Sequence, residues 1–119
     1  MIFESAPILP SNLTGGTGKI GIRISSHPVA RVIQKALGVP ITGTSANISG
    51  TPPCTTADQV LECFGTEVDL VLDGGPTQGK NPSTVLDVTV DPPLMVREGM
   101  IKAEEIMGTG IYQRLATEG

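Results

Sequence analysis

The stretch KIGIRISSHPVARVIQKALG, which runs from Lys19 to Gly38, changes its hydrophobic period halfway and decides the fold. Its first six residues alternate between isoleucine and a polar or small residue, which predicts a strand over Lys19–Ile24. The next apolar residues recur at helical spacing. They predict a helix that starts at Pro28, is capped by a preceding hydroxyl or imidazole group, and stops at Gly38. A strand that leads directly into a helix indicates an α/β arrangement.

The alternation of strands and helices continues on both sides of this stretch. Further strands are predicted over Met1–Phe3, Val39–Thr42, Val68–Leu72, Ser83–Val90 and Leu94–Arg97, one further helix is capped by Thr55–Asp58 and ends at Gly65, and another runs from Lys102 to Met107. Loops are expected over residues 7–19, 43–54 and 73–82, and a frayed tail over residues 108–119. Because Asp91–Pro93 turns one closing strand into the next, we expect part of the sheet to be antiparallel.

Composition limits the functions that this chain can carry. With 119 residues, of which 39% are hydrophobic and 17% charged, it suits one domain, which we assign to residues 1–119. A formal net charge of −4 and only three aromatic residues argue against an extended basic surface or a stacked array of bases for strong RNA binding. The sequence has no run of membrane-spanning length and no secretion signal, so we expect a cytoplasmic protein without a membrane partner.

Histidine and cysteine, which often carry proton transfer or metal binding, are scarce in this sequence. Cys54 and Cys63 lie nine positions apart, and His27 is the single histidine, so no zinc motif is present and we expect reduced, structural thiols and no metal site. His27 directly precedes Pro28, where a capping or loop role suits it better than catalysis. We therefore assign no catalytic residue and favour a group-transfer site that works by positioning and electrostatics.

Three polar turns are candidate ligand sites. Gly15–Lys19 fails the phosphate-loop pattern, because Leu13 and Ile20 stand where a glycine and a magnesium-binding hydroxyl belong, so a flap or surface loop is expected. Thr44–Gly50 carries hydroxyls and a carboxamide that suit an anionic or nucleotide ligand, or a turn that only bonds to itself. Asp73–Gly75 suits either a contact to a metal and its phosphates or a tight turn.

Two arginines lie in predicted strands. Arg23 and Arg97 can each hold a carboxylate or phosphate through a bidentate fork, although an exposed surface arginine is the commoner case. Pro82–Val85 opens a strand with two hydroxyl groups, which either touch a ligand or simply start the strand.

Seven segments, taken in order, are much more specific than any one of them. They are Leu13–Ile24, Ser26–Ala30, Gly38–Ile41, Thr44–Gly50, Val68–Pro76, Pro82–Val85 and Val96–Gly99. Their order and spacing resemble the C-terminal half of the YrdC-like family of L-threonylcarbamoyladenylate synthases, from about Phe3 to Ile101. The resemblance implies an α/β fold with α+β character, in which an open twisted mixed sheet with flanking helices forms a concave basic groove.

The resemblance also implies a nucleotidyltransferase. Such enzymes condense L-threonine, bicarbonate and ATP, as its Mg²⁺ complex, to threonylcarbamoyl-AMP and pyrophosphate, and the product feeds N6-threonylcarbamoyladenosine formation in tRNA. Carried over by resemblance, the ATP contacts are Lys19, Ser45, Asn47, Pro53 and Arg97, and the threonine contacts are Arg23, Gly43, Thr44 and Ser83. Pro53 departs from the family pattern, which often has a serine after the Gly-x-Pro of this loop.

The family's N-terminal half, with a Lys-x-Arg motif and a Pro-Gly-Pro-Leu-Thr stretch, has no counterpart in this sequence. We therefore expect a partial domain, incomplete or inactive by itself, with an exposed sheet edge that associates as a homodimer or with a missing segment. One alternative is a non-catalytic module of the same fold that binds nucleotide or, weakly, tRNA or double-stranded RNA. Another is a carbamoyl-transferring homologue of the hydrogenase-maturation type, which usually lies in a longer chain with zinc-binding cysteines.

Overall fold

The computed structural model describes residues 1–78 and 81–109, and the chain forms two compact units. The first unit comprises Met1–Ile24 and the described residues from Asn81 onward, and the second comprises the described residues of Ser25–Lys80. Most of the expected tail, residues 110–119, and residues 79 and 80 of the predicted loop lie outside the described residues. The assignment of the whole chain to one domain stays a prediction. Within the described ranges, no helix combines the length and the apolar character needed to cross a bilayer.

A four-stranded mixed sheet organises the first unit. Its strands are β1 (Ile2–Glu4), β2 (Lys19–Gly21), β3 (Val85–Asp87) and β4 (Leu94–Arg97), in the spatial order β2-β1-β3-β4. Strand β1 runs antiparallel to β2 and parallel to β3, and β3 runs antiparallel to β4. The predicted antiparallel pairing of the two closing strands is therefore confirmed. The turn that joins them contains a cis Asp91–Pro92 bond.

The helices of the described chain are α1 (Ser11–Thr14), α2 (Pro28–Leu37), α3 (Ala57–Phe64) and α4 (Ala103–Met107). Helix α2 has its predicted bounds and ends at Gly38, whose φ of 68° lies in the left-handed region that favours glycine. Its predicted side-chain cap is wrong, because no side chain caps its first turn; the Oγ of Ser25 instead accepts from the backbone N–H of His27 at 3.2 Å.

Helix α3 begins as predicted from its threonines. The Oγ1 of Thr56 accepts from the backbone N–H of Gln59 at 3.2 Å, which satisfies one of the free donors of the first turn. The side chain of Gln59 reaches back and accepts from the N–H of Thr55 at 2.8 Å. A short 3₁₀ turn, Gly65–Glu67, follows the helix at the predicted stop.

Two predicted strands of the second unit are wrong. Val39–Thr42 and Val68–Leu72 belong to no sheet, and residues 25–78 contain no paired strand. A strand needs a neighbour that exchanges backbone hydrogen bonds with it, and an apolar run does not reveal whether that neighbour exists.

The first unit departs from prediction in smaller ways. The predicted strand Ser83–Val90 is a strand only over β3, and the predicted strand Lys19–Ile24 only over β2. Single backbone bonds continue past both, from the N–H of Ile22 to the carbonyl of Met1 at 2.8 Å and from the N–H of Val88 to that of Ile2 at 3.1 Å. Helix α1 lies inside the loop that was predicted over residues 7–19.

The described part of the chain has a thin hydrophobic core. The buried apolar side chains are Leu86, at the centre of β3 and with 7% of its surface exposed, and Pro93, in the turn that follows β3. Large apolar side chains of the first unit remain at the surface, among them Ile8 and Ile24, which are 89% and 90% exposed.

Asp87 links two strands of the sheet from a buried position next to Leu86. Its Oδ2 accepts from Nζ of Lys19 at 2.9 Å, and its Oδ1 accepts from the hydroxyl and the backbone N–H of Thr89 at 2.6 and 2.9 Å. These bonds, first that of the Thr89 hydroxyl and then that of Lys19, lower the pKa of Asp87 from 3.8 to about 2. The carboxylate thus ties β3 to β2 across the intervening strand β1.

Asp87→Asn is expected to destabilise the protein at neutral pH, with a difference from wild type that shrinks in acid. Because folding depresses the pKa of Asp87, its carboxylate stabilises the fold above the unfolded pKa of about 4, and this contribution is lost as the pH falls toward about 2. Urea unfolding of both proteins across this pH range measures the difference. Glu4→Gln, which removes an exposed carboxylate from β1, is the matched control. A difference between wild type and Asp87→Asn that is independent of pH would contradict the prediction.

Candidate functional site

Three of the predicted site residues converge in the first unit. Arg23, just beyond β2, places Nη1 3.3 Å from Oγ of Ser83, which lies just before β3. Arg97, the last residue of β4, donates from Nε to the backbone carbonyl of Ser83 at 3.0 Å. We name these three exposed residues the arginine–serine cluster. Two guanidinium groups that contact one residue, Arg23 at the hydroxyl and Arg97 at the carbonyl of Ser83, make a positively charged site that suits a carboxylate or a phosphate.

The register of the closing strands brings Arg97 to Ser83. Val85 pairs with Arg97, whereas Leu86 pairs with Met95, so β4 carries one extra residue at this point. Such a bulge bends a strand and changes the direction of its side chains. The arginine at the end of β4 therefore meets the residues that lead into β3.

Thr84 fastens the segment that carries Ser83. Its Oγ1 accepts from the backbone N–H groups of Gly99 and Ile101, both at 3.0 Å. The same hydroxyl donates to the carbonyl of Ile101 at 2.6 Å, so all of its strong hydrogen-bonding capacity is used. Ser83 is thereby fixed beside the chain that follows β4.

We name the hydrogen bonds of Thr84 and Glu98 to the chain after β4 the polar frame. Glu98 extends this frame toward α4. Its carboxylate accepts from the backbone N–H of Ala103 at 3.1 Å and from Nζ of Lys102 at 3.0 Å, which closes the start of that helix. These bonds, the one from Ala103 first, lower the pKa of Glu98. The carbonyl of Pro82 also accepts from the N–H of Met100 at 3.0 Å. The arginine–serine cluster therefore rests on a polar frame rather than on a packed core.

Thr84→Val is expected to destabilise the protein by about 1–3 kcal/mol, because the isosteric valine leaves the N–H groups of Gly99 and Ile101 without their acceptor. The change in urea unfolding midpoint at constant slope measures this loss. Thr84→Ser keeps the hydroxyl and is the matched control. Equal stability of the valine variant and wild type, or an equal loss in both variants, would show that the hydroxyl does not hold the frame.

Lys19 was predicted to contact ATP, and its side chain is engaged elsewhere in the first unit. The ammonium group forms an ion pair with Asp87 at 2.9 Å. The backbone N–H of Lys19 donates to Oγ1 of Thr17 at 3.2 Å, and the assignment of Lys19 to ATP stays a prediction.

The other predicted site residues lie in one loop of the second unit, residues 43–54: Gly43, Thr44, Ser45, Asn47 and Pro53. Within it, the Oγ of Ser45 donates to Oδ1 of Asn47. The Nδ2 of Asn47 donates in turn to the carbonyls of Ile48 and Thr51, each at 3.0 Å. The loop is thus cross-linked by the carboxamide at its centre, as the self-bonding interpretation of the sequence requires.

These bonds decide which atoms of the loop are free for a ligand. Both N–H bonds of the Asn47 carboxamide are used, so this residue shapes the loop. The loop is closed by the N–H of Cys54, which donates to the carbonyl of Ala46 at 2.8 Å. In the part of the chain that the structure describes, the backbone N–H groups of Ser45 and Ala46 have no acceptor. Successive free N–H groups are the donors that bind phosphate or carboxylate groups in many proteins.

Asp73–Gly75 forms a tight turn in the second unit. The backbone N–H of Gly75 donates to Oδ1 of Asp73 at 2.9 Å, and the φ of Gly75 is 84°. The carboxylate of Asp73 is therefore used by its own turn, the second of the two interpretations that the sequence allowed. Among residues 1–78 and 81–109, no group of three or more His, Cys, Asp or Glu side chains could hold a metal ion.

Comparison with known proteins defines the family. The family model Sua5/YciO/YrdC, described as telomere recombination, matches residues 1–99. The chain therefore belongs to the Sua5/YciO/YrdC family, and the resemblance found in the sequence is confirmed.

Relatives with names and structures bear out the same assignment. The chain is 35% identical over 106 residues to the threonylcarbamoyl-AMP synthase of Pyrococcus abyssi, a match that covers 89% of this chain and 31% of that relative. It is 39% identical over 87 residues to the threonylcarbamoyl-AMP synthase of Shigella boydii, which covers 72% of this chain and 45% of that relative. It also resembles the crystal structure of P. abyssi Sua5 complexed with L-threonine, with 35% identity and a TM-score of 0.83 over 89% of this chain and 31% of that one.

The structural likeness confirms the predicted α/β fold with an open mixed sheet. In all three matches the chain spans less than half the length of the relative.

Proposed function

We propose that this chain supplies the threonine-binding and nucleotide-binding part of a threonylcarbamoyl-AMP synthase. Such an enzyme converts L-threonine, bicarbonate and ATP to threonylcarbamoyl-AMP and pyrophosphate. The threonylcarbamoyl-AMP is then used in tRNA modification. The observation that carries the proposal is the arginine–serine cluster, in which Arg23 and Arg97 meet at Ser83. Membership of the family and the L-threonine in the related P. abyssi structure support it.

L-Threonine suits the cluster because of its carboxylate. The guanidinium of Arg23 can donate two parallel N–H bonds to that group, in exchange for its 3.3 Å bond to Ser83. The freed hydroxyl of Ser83 then binds another polar group of the amino acid or of its carbamoyl derivative. The threonine carboxylate is thereby fixed while the amino group reacts, so the cluster contributes orientation.

Each unit, taken by itself, carries groups that we propose as contacts to ATP with its Mg²⁺. In the first unit, Arg97 keeps its terminal N–H groups for a phosphate, because only Nε is bonded among the described residues. In the second unit, the free backbone N–H groups of Ser45 and Ala46 are the donors, and Asn47 keeps the loop in shape. These groups neutralise phosphate charge and need no proton transfer, which suits nucleotidyl transfer by positioning.

Calorimetric titration followed by a pyrophosphate assay tests this function. We expect residues 1–119 to bind L-threonine and Mg²⁺–ATP, and to release little or no pyrophosphate with bicarbonate. The N-terminal half of a related synthase, added as a separate polypeptide, is expected to raise threonine-dependent pyrophosphate release. Nucleotide or double-stranded RNA binding without any threonine binding would instead favour the non-catalytic module.

The exposed apolar surface of the first unit supports self-association. Strands β2 and β4 are both unpaired on their outer sides within the described sheet, and Leu94 and Val96 of β4 are 58% and 53% exposed. We propose that the β4 edge of the sheet pairs with a second copy of the chain. Sedimentation equilibrium is expected to give a dimer mass. Thermal unfolding is expected to show a midpoint that rises with protein concentration. A monomer mass with a concentration-independent midpoint would contradict this proposal.

A further inference from the structure

We propose that Cys54 and Cys63 form a dithiol site, which a small-molecule disulfide closes reversibly to an intramolecular disulfide bond. This modification does not depend on the proposed function, because thiol–disulfide exchange needs neither L-threonine nor ATP. Both are free thiols of intermediate exposure, so a small oxidant can reach them.

Cys63 is a residue of α3, and Cys54 precedes this helix in the chain and contacts it. Both line one cavity of about 380 Å³, together with Pro52, Gln59 and Glu62. The Sγ of Cys54 lies 3.5 Å from the backbone carbonyl oxygen of Gln59. In an α-helix that carbonyl accepts from the N–H of the fourth residue onward, which in α3 is Cys63. The carbonyl of Gln59 therefore contacts both the side chain of Cys54 and the backbone of Cys63. Gln59 and Cys63 are four residues apart, so they share one face of α3.

The position of Cys54 is fixed from two sides. Its backbone N–H is bonded to Ala46 at 2.8 Å, and its side chain is bonded to Gln59. The pKa of Cys54 is raised, first by burial of its thiol. The charge of the Cys63 side chain and a hydrogen bond with it raise this pKa further. The geometric support for a pair of thiols is the cavity that both residues line.

The reaction is thiol–disulfide exchange, with glutathione disulfide as the oxidant. The thiolate of one cysteine attacks a glutathione sulfur, the glutathione S–S bond breaks, and one glutathione thiolate leaves. The thiolate of the second cysteine then attacks the protein-bound sulfur and expels the second glutathione. The two protons of the cysteine thiols end on the two glutathione thiolates, and the two electrons reduce the glutathione disulfide.

Redox titration of the 119-residue chain tests the proposal. The protein is equilibrated with defined ratios of oxidised and reduced glutathione, quenched with acid, alkylated and weighed by intact mass spectrometry. The same titration in guanidinium chloride gives the effective concentration of one thiol at the other in the unfolded chain. We expect the folded chain to show an effective concentration at least about tenfold higher, because the fold holds the thiols together.

Single variants provide the controls. Cys54→Ser and Cys63→Ser are each expected to yield only a mixed disulfide with glutathione. If the wild-type chain yields only glutathione adducts or intermolecular disulfides, the proposal is overturned. An effective concentration in the folded chain that is equal to or below that of the unfolded chain overturns it as well.

Discussion

Gly99→Ala is expected to destabilise the protein by about 3 kcal/mol and to separate the two segments that carry the arginine–serine cluster. A Cβ at position 99 would lie 2.1 Å from the carbonyl oxygen of Pro82, and 2.7 and 2.8 Å from backbone atoms of Ser83 and Thr84. Because all three neighbours are backbone, no side-chain rotation can relieve the clash. The segments must move apart, which also breaks the bonds that Thr84 makes to Gly99 and Ile101.

Urea unfolding measures this loss, with Gly21→Ala as the matched control. Gly21 lies in β2 of the same unit, and a Cβ there would meet nothing within 4 Å. The control is expected to match wild type, because alanine fits an exposed strand position at least as well as glycine. If both variants unfold at the wild-type midpoint, the close approach of Gly99 to residues 82–84 is not part of the folded protein.

Arg23→Ala is expected to weaken L-threonine binding about 10- to 100-fold. Hydrogen bonds to a charged group contribute about 1.5–3 kcal/mol, and each 1.4 kcal/mol changes affinity about tenfold. Arg23→Lys is expected to recover part of the loss, since an ammonium group keeps the charge but cannot make the bidentate fork. Calorimetric titration with L-threonine gives the dissociation constants.

Arg31→Ala is the control for net charge, because Arg31 is an exposed arginine of α2. It is expected to bind L-threonine as wild type does. Equal weakening by Arg23→Ala and Arg31→Ala would mean that the effect comes from overall charge and not from the arginine–serine cluster.

The positions of α2 and α3 could be predicted from this sequence because their signals are local, whereas the short helix α1 was missed. Pro28 at the start and Gly38 at the end set the bounds of α2, and Thr56 sets the start of α3, through backbone restrictions and capping that involve only adjacent residues. Strands were predicted less well. Val68–Leu72 has the composition of a strand, yet it has no pairing partner in the described second unit, and pairing depends on residues far along the chain.

The candidate site shows the same division. The side chains of Arg23, Ser83 and Arg97 were predicted as ligand contacts, and the structure brings these three together. The frame beneath them was not predicted. Thr84 and Glu98 hold it through bonds to backbone N–H groups, and those partners become visible only once the register of β3 and β4 is known.

The side-chain partner of Lys19 could not be predicted from the sequence. The resemblance implied a contact between Lys19 and ATP, which stays a prediction, and the structure pairs its side chain with Asp87, a residue 68 positions later in the chain. A carboxylate that distant in sequence gives no local signal, so the ion pair could not be predicted from the pattern.

Comparison of L-threonine with L-threoninamide tests the central claim most directly. The two ligands differ only in the carboxylate that Arg23 is proposed to hold, and both are titrated into the wild-type chain by calorimetry in the presence of Mg²⁺–ATP. We expect L-threonine to bind and L-threoninamide to bind at least about tenfold more weakly, because the amide cannot accept two charge-assisted bonds. Equal affinities for the two ligands, or no measurable binding of L-threonine, would contradict a carboxylate site at the arginine–serine cluster.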